Sequence, residues 1–487
     1  MKVHSKAHRF ATVAVLLSGA VLTTSCEKFL DINPVTEKPD INSYDTAAKV
    51  DATLLSAYNQ LQDGAMYGGQ VQVLGELLGD NIDFNTIVGT GGDGEFRSRQ
   101  FSIFTNPAAG TWTKAYTAIF RANLAIEAVD KSKFTADAAV SNRIKGEALF
   151  IRAISHFELL RLFAKPYSSN PTTDPGVPLR IRVVSSNEAA NDRTPRAPVG
   201  EVYAQVIGDL QQAANLLPPA NGDRATAWAA KAYLARVYFE QNNFADAERL
   251  SSDVIANGGF TLGTSPESVT GPFRQQGLNA RYRSVIFQIV NFSNSDGANG
   301  LRTAFFNAGG SAFARLPLNT SGTDNIFDAL RTDGGARYTE LVRRDSATVI
   351  DPNNSASMRP QSLKYAGTDT TGGNPASVPV LRLQEMLLTR AESRAELGQG
   401  DALVRADLNA VRTAAGRPAN TTVTGKAALL TAVRTERRIE LVLEGDRFQQ
   451  LRRLRLPSRG IAFNSGRLLP IPLDEVNGNS GIVQNGD

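Results

Sequence analysis

The sequence contains little cysteine and little histidine, and this scarcity excludes several kinds of site. Cys26 is the one cysteine in 487 residues, and there are three histidines. One thiol cannot form a disulfide within the chain, and it cannot supply the several thiolates of a structural zinc site. Because His4 and His8 lie at the N-terminal end, only His156 is available for histidine-dependent chemistry in the rest of the chain.

The chain also lacks a surplus of one charge and lacks long apolar runs. Its formal charge is +4 at pH 7, and three basic residues lie within the first nine positions. A nucleic-acid-binding protein is expected to carry a clustered basic face, so we predict no nucleic-acid partner. The longest apolar run, residues 10–22, is shorter than the roughly 20 residues of a helix that spans a bilayer.

His156 is predicted to pack inside a helix. It lies in LFIRAISHFELLRLF, a segment whose apolar residues recur with the 3.6-residue helical period. A site with several histidines is excluded, and a Ser-His-Asp type of active site would depend on this one side chain. We therefore expect no enzymatic activity, no metal site and no cofactor.

A glycine-rich motif has the spacing of a cofactor site but lacks its other parts. Residues 89–94, GTGGDG, match the glycine spacing of a dinucleotide-binding loop. Such a loop opens a helix and is followed about 20 residues later by an acidic residue. Here EFRSRQFSIFTNP follows, which we predict to be strand or loop, and residues 96–126 contain no Asp or Glu. We interpret the motif as a flexible glycine loop.

Three glutamates, Glu436, Glu440 and Glu444, recur every four residues and so share one face of a predicted helix. Paired carboxylates can act in acid–base chemistry, as in retaining glycosidases. Basic residues are interspersed with them: Arg437, Arg438 and Arg447. We predict an ion-pair network that fixes the helix. No run of the form D-x-[DN]-x-[DN]-G supports a calcium loop of the EF-hand type.

The N-terminal residues have the order of a bacterial secretion signal, with basic residues first, then the apolar run, then small residues. A signal that ends on a cysteine resembles that of a bacterial lipoprotein, although Thr23 stands where leucine is usual. We predict residues 1–25 as the signal peptide and Cys26 as the lipidated, palmitate-carrying first residue of the mature protein. Plain secretion with a spare thiol is the alternative. Several acyl chains anchor a protein stably.

The rest of the chain divides by composition into four segments. Residues 26–42 contain two prolines and are predicted to form an extended tether. Residues 43–257 are predicted to be helical, except for a glycine-rich loop region at 64–108. Residues 258–378 lose the helical period, and we interpret them as an irregular insertion of loops and short strands, such as SVIFQIVNF. Residues 379–487 are predicted to be helical, with an extended tail.

One helix pair has a recognisable repeat spacing. In KAYLARVYFEQNNFADAERLSSDVI, the spacing of a tetratricopeptide unit is carried by Leu234, Ala235, Tyr238, Asn242, Phe244 and Ala247. Residues 390–412 form a weaker copy, with Gly398 at the turn. One pair cannot bury its own face, so neighbouring pairs should stack on it. The predicted fold class is mainly α: a tetratricopeptide-like helical-repeat scaffold with a loop-rich insertion containing small β elements.

Several segments in order resemble the SusD/RagB family of outer-membrane nutrient-binding lipoproteins. They are CEKFLDINP, GEALFIRAISHFELLRLFAKPY, the proline-rich 166–198, VYAQVIGDLQQAANLLP, VLRLQEMLLTRAESRAELG, ERRIELVLEGDRFQQLRR and IPLDEVNGNSGIVQN. The resemblance implies a protein anchored by lipid on the outer face of the outer membrane. It also implies binding of nutrient oligomers, usually glycans, without chemistry, and delivery to a SusC-like TonB-dependent β-barrel transporter. Peptide capture, or a surface scaffold without a small ligand, are the alternatives.

A glycan site is expected to combine aromatic faces with amide or charged side chains. Trp112 and Trp228 start helical segments and are predicted to pack, so a platform would consist of Phe or Tyr. The candidates for ligand contact lie in the two loop-rich segments: Tyr67, Phe84, Phe96, Arg97, Tyr282, Phe292 and Asn294. The sequence alone does not decide between a glycan and a peptide ligand.

Overall fold

Helices dominate the computed structural model of this chain. It describes residues 44–84, 91–103, 108–184, 193–292, 299–306, 315–343, 360–366, 376–462 and 468–486. Cys26, the predicted signal and tether, and Asn294 lie outside the described residues. The chain from Thr46 to Asp487 forms one unit. Within the described ranges, no helix is both long enough and apolar enough to cross a membrane.

The helices fall into three groups along the chain. The first group is α1 (Ala47–Gln62), α2 (Gln70–Leu77), α3 (Gly91–Ser98), α4 (Ala109–Asp130), α5 (Ala138–Phe163), α6 (Val199–Leu216), α7 (Ala227–Glu240) and α8 (Phe244–Asn257). Shorter helices follow: α9 (Glu267–Thr270), with a 3-10 turn at Gly271–Phe273, α10 (Asn299–Phe305), α11 (Ile326–Asp333) and α12 (Gly335–Thr339). The last group is α13 (Leu383–Leu397), α14 (Asp401–Ala414), α15 (Lys426–Glu440), α16 (Arg447–Arg453) and α17 (Leu473–Gly478).

Polar side chains fix where several helices begin. The side-chain oxygens of Thr46, Asp137 and Thr226 accept hydrogen bonds from main-chain N–H groups in the first turns of α1, α5 and α7. Such caps satisfy N–H groups that have no partner within the helix. At the end of α13, Gly398 adopts φ 69°, a left-handed conformation that glycine reaches without steric cost.

The long helices stack in chain order, from α4 through α8, and α13 then packs on α8. The predicted tetratricopeptide pair is α7 and α8, joined by a turn at residues 241–243. Leu234 and Ala235 of α7 and Ala247 of α8 are buried between neighbouring helices. The prediction of a mainly α, tetratricopeptide-like scaffold is therefore confirmed.

Short antiparallel strand pairs occur between the helices. They are β1 (Pro175–Pro178) with β2 (Arg196–Pro198), β3 (Val285–Ile289) with β6 (Val378–Arg382), and β4 (Val342–Arg343) with β5 (Gln361–Ser362). In the central pair, Val285 lies opposite Arg382. Strand β3 is fully buried, and it confirms the strand predicted in SVIFQIVNF.

The two segments predicted to be loop-rich also contain helices. The residues of α2 from Val71 to Leu77 are all buried, so this helix has no polar face and its period cannot be seen in the sequence. Helix α3 is rich in glycine, which lowers helix propensity, and it includes the start of EFRSRQFSIFTNP. The predictions of a glycine loop at residues 91–94 and of strand or loop at residues 95–98 were therefore wrong. The missing acidic residue still argues against a dinucleotide site.

Candidate ligand-binding site

Three of the predicted ligand contacts are buried in the protein. Tyr67 is 2% exposed, and its hydroxyl lies 3.0 Å from Glu158 Oε1 and 2.7 Å from the hydroxyl of Tyr233. Phe96 and Tyr282 are likewise buried. These side chains offer no surface to a ligand, so the structure removes them from the candidate set.

Phe84 and Arg97 lie together beside a polar cleft. The guanidinium of Arg97 is 5.9 Å from the centre of the Phe84 ring and forms an ion pair with Asp83. The residues around this cleft, here called the Arg97 cleft, are Asp80, Arg97, Ser98, Asn319, Ser321, Gly322, Asp324, Arg459 and Ile461. Its cavity volume is about 470 Å³. Its carboxylates are already paired, since Arg447 binds Asp80 at 2.5 and 2.8 Å and Arg438 binds Asp324 at 2.8 Å.

Phe292 lies at a second cavity of the same size, about 470 Å³. We call it the Phe292 pocket. Its residues are Asp51, Leu55, Tyr58, Asn59, Gln62, Arg143, Asn221, Gly222, Asp223, Arg224, Leu278, Asn279, Gln288, Ile289, Val290 and Phe292. Three large apolar side chains at this cavity are unusually exposed: Leu55 at 44%, Leu278 at 67% and Phe292 at 54%. The Arg97 cleft has no comparable apolar surface among its lining residues.

Helix α1 supplies one wall because of its two-sided pattern. Leu54, Ala57 and Leu61 are buried, whereas Leu55 and Asn59, four residues apart, share the opposite face. At the end of this face, Gln62 Nε2 donates a hydrogen bond of 2.7 Å to the main-chain oxygen of Val290. Strand β3 and the residues after it are therefore tied to α1.

A tight turn between α6 and α7 supplies the second wall. Gly222 adopts φ 56°, and the Arg224 N–H donates a 3.1 Å hydrogen bond to the main-chain oxygen of Asn221. Glycine reaches this left-handed conformation without strain. The turn presents the side chains of Asn221 and Asp223 at the cavity, and the Asn279 N–H donates to Asp223 Oδ2 at 2.7 Å.

An ion-pair network supports both walls. Arg224 binds Asp51 through two hydrogen bonds of 2.7 and 2.8 Å. Arg143 reaches Asp51 at 2.9 Å and the fully buried Glu147 at 2.7 Å. Hydrogen bonding from Arg224 outweighs burial and lowers the pKa of Asp51 below its usual value. Asp51 therefore remains charged at neutral pH, and the network links α1, α5 and the turn before α7.

The ionisable side chains that line the Phe292 pocket are those of Asp51, Tyr58, Arg143, Asp223 and Arg224. His156 is fully buried elsewhere, with Nδ1 3.0 Å from the Arg152 main-chain oxygen. Burial, and then the charge of Arg152, lowers the pKa of His156 to about 3. Its predicted packing role is confirmed. Among the residues that the structure describes, no group of three or more His, Cys, Asp or Glu side chains is arranged to hold a metal ion.

The three glutamates near the C-terminus form ion pairs as predicted, but with different partners, and the prediction of one shared helix face was wrong for Glu444, which follows the end of α15 at Glu440. Glu436 and Glu440 bind Arg337 at 2.6 and 3.3 Å, and Glu440 also binds Arg382 at 2.9 Å. Glu444 binds Arg382 and Lys364 at 2.5 and 2.7 Å. The expected neighbours instead bind other acids, such as Asp446 for Arg437 and Asp80 for Arg447.

Two sequence models of known protein families match this chain. Residues 28–239 match the sequence model of a SusD-like family described as starch-binding and associating with the outer membrane. Residues 345–462 match the model described as the SusD family. Together the two matches cover more than half of the chain. The chain belongs to the SusD family.

Relatives within the SusD family extend over almost the whole chain. SusD-like protein P2 of Formosa agariphila is 24% identical, over 94% of this chain and 95% of its own length. The crystal structure of a SusD superfamily protein from Bacteroides thetaiotaomicron has a TM-score of 0.78 at 22% identity, covering 91% and 100% of the two chains. A laminarin-binding SusD-like protein has a TM-score of 0.71 at 21% identity, covering 91% and 99%. These structures share the fold of this SusD family member.

Sequence reasoning missed most of the Phe292 pocket. It selected Phe292 but not Leu278, Leu55 or the turn at 221–224. The Asn-Gly-Asp sequence of that turn was an available signal, since these residues favour tight turns. Nothing in the sequence indicated that this turn would meet α1 and the residues after β3.

Proposed function

We propose that this SusD family protein captures a nutrient glycan in the Phe292 pocket without performing chemistry on it. The observation that carries this proposal is the exposed Phe292 ring, which shares a cavity with Leu278 and with the amides of Asn59, Asn221 and Asn279. Sugars present C–H faces to apolar rings and hydroxyl groups to amides. The starch-binding description of the family and the laminarin-binding relative support a glycan ligand.

Delivery of the ligand is the second part of the proposal. The protein would be anchored through lipid on Cys26 at the outer face of the outer membrane and would pass its ligand to a SusC-like TonB-dependent transporter. The order of the N-terminal signal and the family's description as outer-membrane-associating support this location. Peptide capture and a ligand-free scaffold are the competing functions.

The binding test compares two exposed phenylalanines. Phe292 is 54% exposed in the pocket, and Phe120 is 44% exposed on α4, outside the pocket. A phenylalanine side chain can bury about 200 Å², so a sugar that covers half of the exposed Phe292 surface removes about 50 Å² from water. At about 25 cal/mol per Å², this contributes roughly 1.3 kcal/mol, or about tenfold in Kd.

The purified full chain would be screened against glycan and peptide arrays, and its Kd for each hit measured by calorimetry. We expect glycan binding, about tenfold weaker in Phe292→Ala and unchanged in Phe120→Ala. Equal effects of the two substitutions would place the site elsewhere. Binding of peptides alone would favour peptide capture, and binding of neither class would favour a scaffold.

The anchor and the partner are tested in cells of a native host. Cys26→Ala should move the protein from the membrane fraction to the soluble fraction while its circular dichroism spectrum remains unchanged. A β-barrel transporter should co-purify with the unaltered protein from solubilised membranes. Membrane retention of the variant would contradict lipid anchoring, and absence of the transporter would contradict delivery.

A further inference from the structure

The positive charges at the Phe292 pocket are already neutralised by neighbouring acids. Arg224 spans both carboxylate oxygens of Asp51, and Arg143 lies between Asp51 and Glu147. Arg224 also lies 3.6 Å from Glu147. Two guanidinium groups therefore face two carboxylates. Neither arginine provides an uncompensated positive charge to a ligand in the cavity.

The remaining ionised side chain of the pocket lining is an acid. Asp223 uses one carboxylate oxygen, Oδ2, to accept the Asn279 N–H at 2.7 Å. Its other oxygen, Oδ1, has no hydrogen-bond partner in the parts of the chain that the structure describes. An anionic group entering the cavity would therefore meet the carboxylate of Asp223, whereas the two arginines that line the cavity are already paired with acids. Charge repulsion of this kind disfavours binding, and more strongly as the site excludes water.

Two buried or half-buried amides also keep an unused acceptor. Gln288 is 2% exposed, and its Nε2 donates to the Ala280 main-chain oxygen at 2.9 Å. Its Oε1 is buried and has no hydrogen-bond partner among the described residues. Asn221 Nδ2 donates to Glu147 and to the Ala225 main-chain oxygen, and within the described ranges Asn221 Oδ1 accepts no hydrogen bond.

Unused acceptors favour a ligand that brings donors. A buried polar atom without a partner is unfavourable, and a ligand that donates to it recovers that cost. Glycan hydroxyl groups are donors, whereas carboxylate and sulfate groups only accept. The exposed amides of Asn59 and Asn279 can each donate and accept hydrogen bonds, so they do not change the excess of unused acceptors at the pocket.

We propose that the glycan bound in the Phe292 pocket is neutral, carrying hydroxyl groups but no carboxylate or sulfate groups. This inference rests on the proposed glycan-binding function of the same pocket. It assigns to Asp223 and Gln288 the recognition of hydroxyl groups, and it assigns to the two arginines the support of the pocket walls.

The test compares neutral and anionic glycans of equal length against the purified full chain. The neutral panel contains oligosaccharides of α- and β-glucan, mannan, xylan and galactan, and the anionic panel contains polyuronates and sulfated galactans. We expect at least one neutral glycan to bind, and every anionic glycan to bind at least about tenfold more weakly. Between 50 and 500 mM NaCl, the Kd of the neutral ligand should change less than twofold, because salt screens only charges.

The outcomes separate the inference from the function on which it rests. If an anionic glycan binds more tightly than every neutral one, the proposed neutral class is wrong while glycan binding stands. If no member of either panel binds, the proposed function fails and the inference fails with it.

A substitution at Asp223 tests the charge directly. Asp223→Asn keeps the shape and an oxygen for the Asn279 N–H but removes the negative charge. It should weaken neutral glycan binding about fivefold, through loss of a charged acceptor. The ratio of the Kd for anionic glycans to the Kd for neutral glycans should also decrease, because the repelling charge is gone. Asp253→Asn is the control, because Asp253 lies on α8, is paired with Lys231 and is not part of the pocket. An unchanged preference in Asp223→Asn, or an equal change in the control, would overturn the inference.

Discussion

Replacing Arg382 by methionine should lower the free energy of unfolding by several kcal/mol. Arg382 is 2% exposed at the end of β6. It donates to Glu440 at 2.9 Å and to the two carboxylate oxygens of Glu444 at 2.8 and 2.5 Å. Methionine fills similar space but cannot pair with either acid. Two buried carboxylates would each lose a positive neighbour.

The magnitude follows from the partners that remain. Removing one member of a buried ion pair typically costs about 3–5 kcal/mol. Here Glu440 keeps Arg337 at 3.3 Å, and Glu444 keeps Lys364 at 2.7 Å. Neither acid is left without a cation, so we expect a loss near the lower limit, about 3 kcal/mol.

The loss should also depend on pH. Burial alone would raise the pKa of Glu444, but the charges of Arg382 and Lys364 outweigh burial and lower it. A lowered pKa contributes stability above the unfolded-state value, and that contribution is lost as pH falls through the folded-state value. The difference between the unaltered protein and Arg382→Met should therefore be largest near neutral pH and shrink below about pH 4.5.

The assay is urea unfolding, followed by circular dichroism, across a pH series. Arg249→Met is the control, because Arg249 forms a 2.8 Å pair with Asp246 and its side chain is 63% exposed. Exposed pairs contribute little to stability, so this variant should unfold like the unaltered protein. If Arg249→Met lost as much stability as Arg382→Met, or if neither changed, the reasoning from burial would be refuted.

Three further predictions concern residues of the core. Burial outweighs hydrogen bonding and raises the pKa of Glu76 from 4.5 to about 7. As pH rises across that range, the free energy of unfolding of the unaltered protein should therefore fall by up to about 3 kcal/mol relative to that of Glu76→Gln. If urea unfolding gave a stability difference between the two proteins that did not change with pH, this prediction would be contradicted. Gly75→Ala should prevent folding, because its Cβ would overlap the main chain of Gly445, whereas Gly208→Ala, with open space, should raise the melting temperature slightly. Tyr67→Phe should lower the free energy of unfolding by about 1 kcal/mol through lost hydrogen bonds, and it should leave glycan affinity unchanged. Weaker glycan binding by this variant would indicate that Tyr67 contributes to the ligand site.

The sequence predicted those features whose physical cause is local. The period and the small residues of α7 and α8 depend on residues within one helix pair, and β3 is a compact run of β-branched and aromatic residues. Helix α2 was missed because it is buried on every side, so no polar residues mark its outer face. The glycine-rich sequence around Tyr67 indicates a surface loop, but its hydroxyl group forms hydrogen bonds with Glu158 and Tyr233, which are distant in the sequence.

The candidate site was predictable only in part, because it is assembled from distant segments. Phe292 was found as an aromatic residue in a loop-rich stretch. Its neighbours in the pocket come from α1 and from the turn at 221–224, and local periodicity carries no information about which segments meet. The same holds for Glu440, since its cations Arg337 and Arg382 lie on other elements.

The ion-pair network around Asp51 has a consequence for how fast a ligand binds to the Phe292 pocket and leaves it. It holds the pocket walls in place before any ligand arrives, so binding needs little rearrangement and association should be limited by encounter alone. The residence time of a bound ligand then depends mainly on the contacts that it makes with these walls. Short residence would suit the proposed transfer of each captured glycan to a transporter.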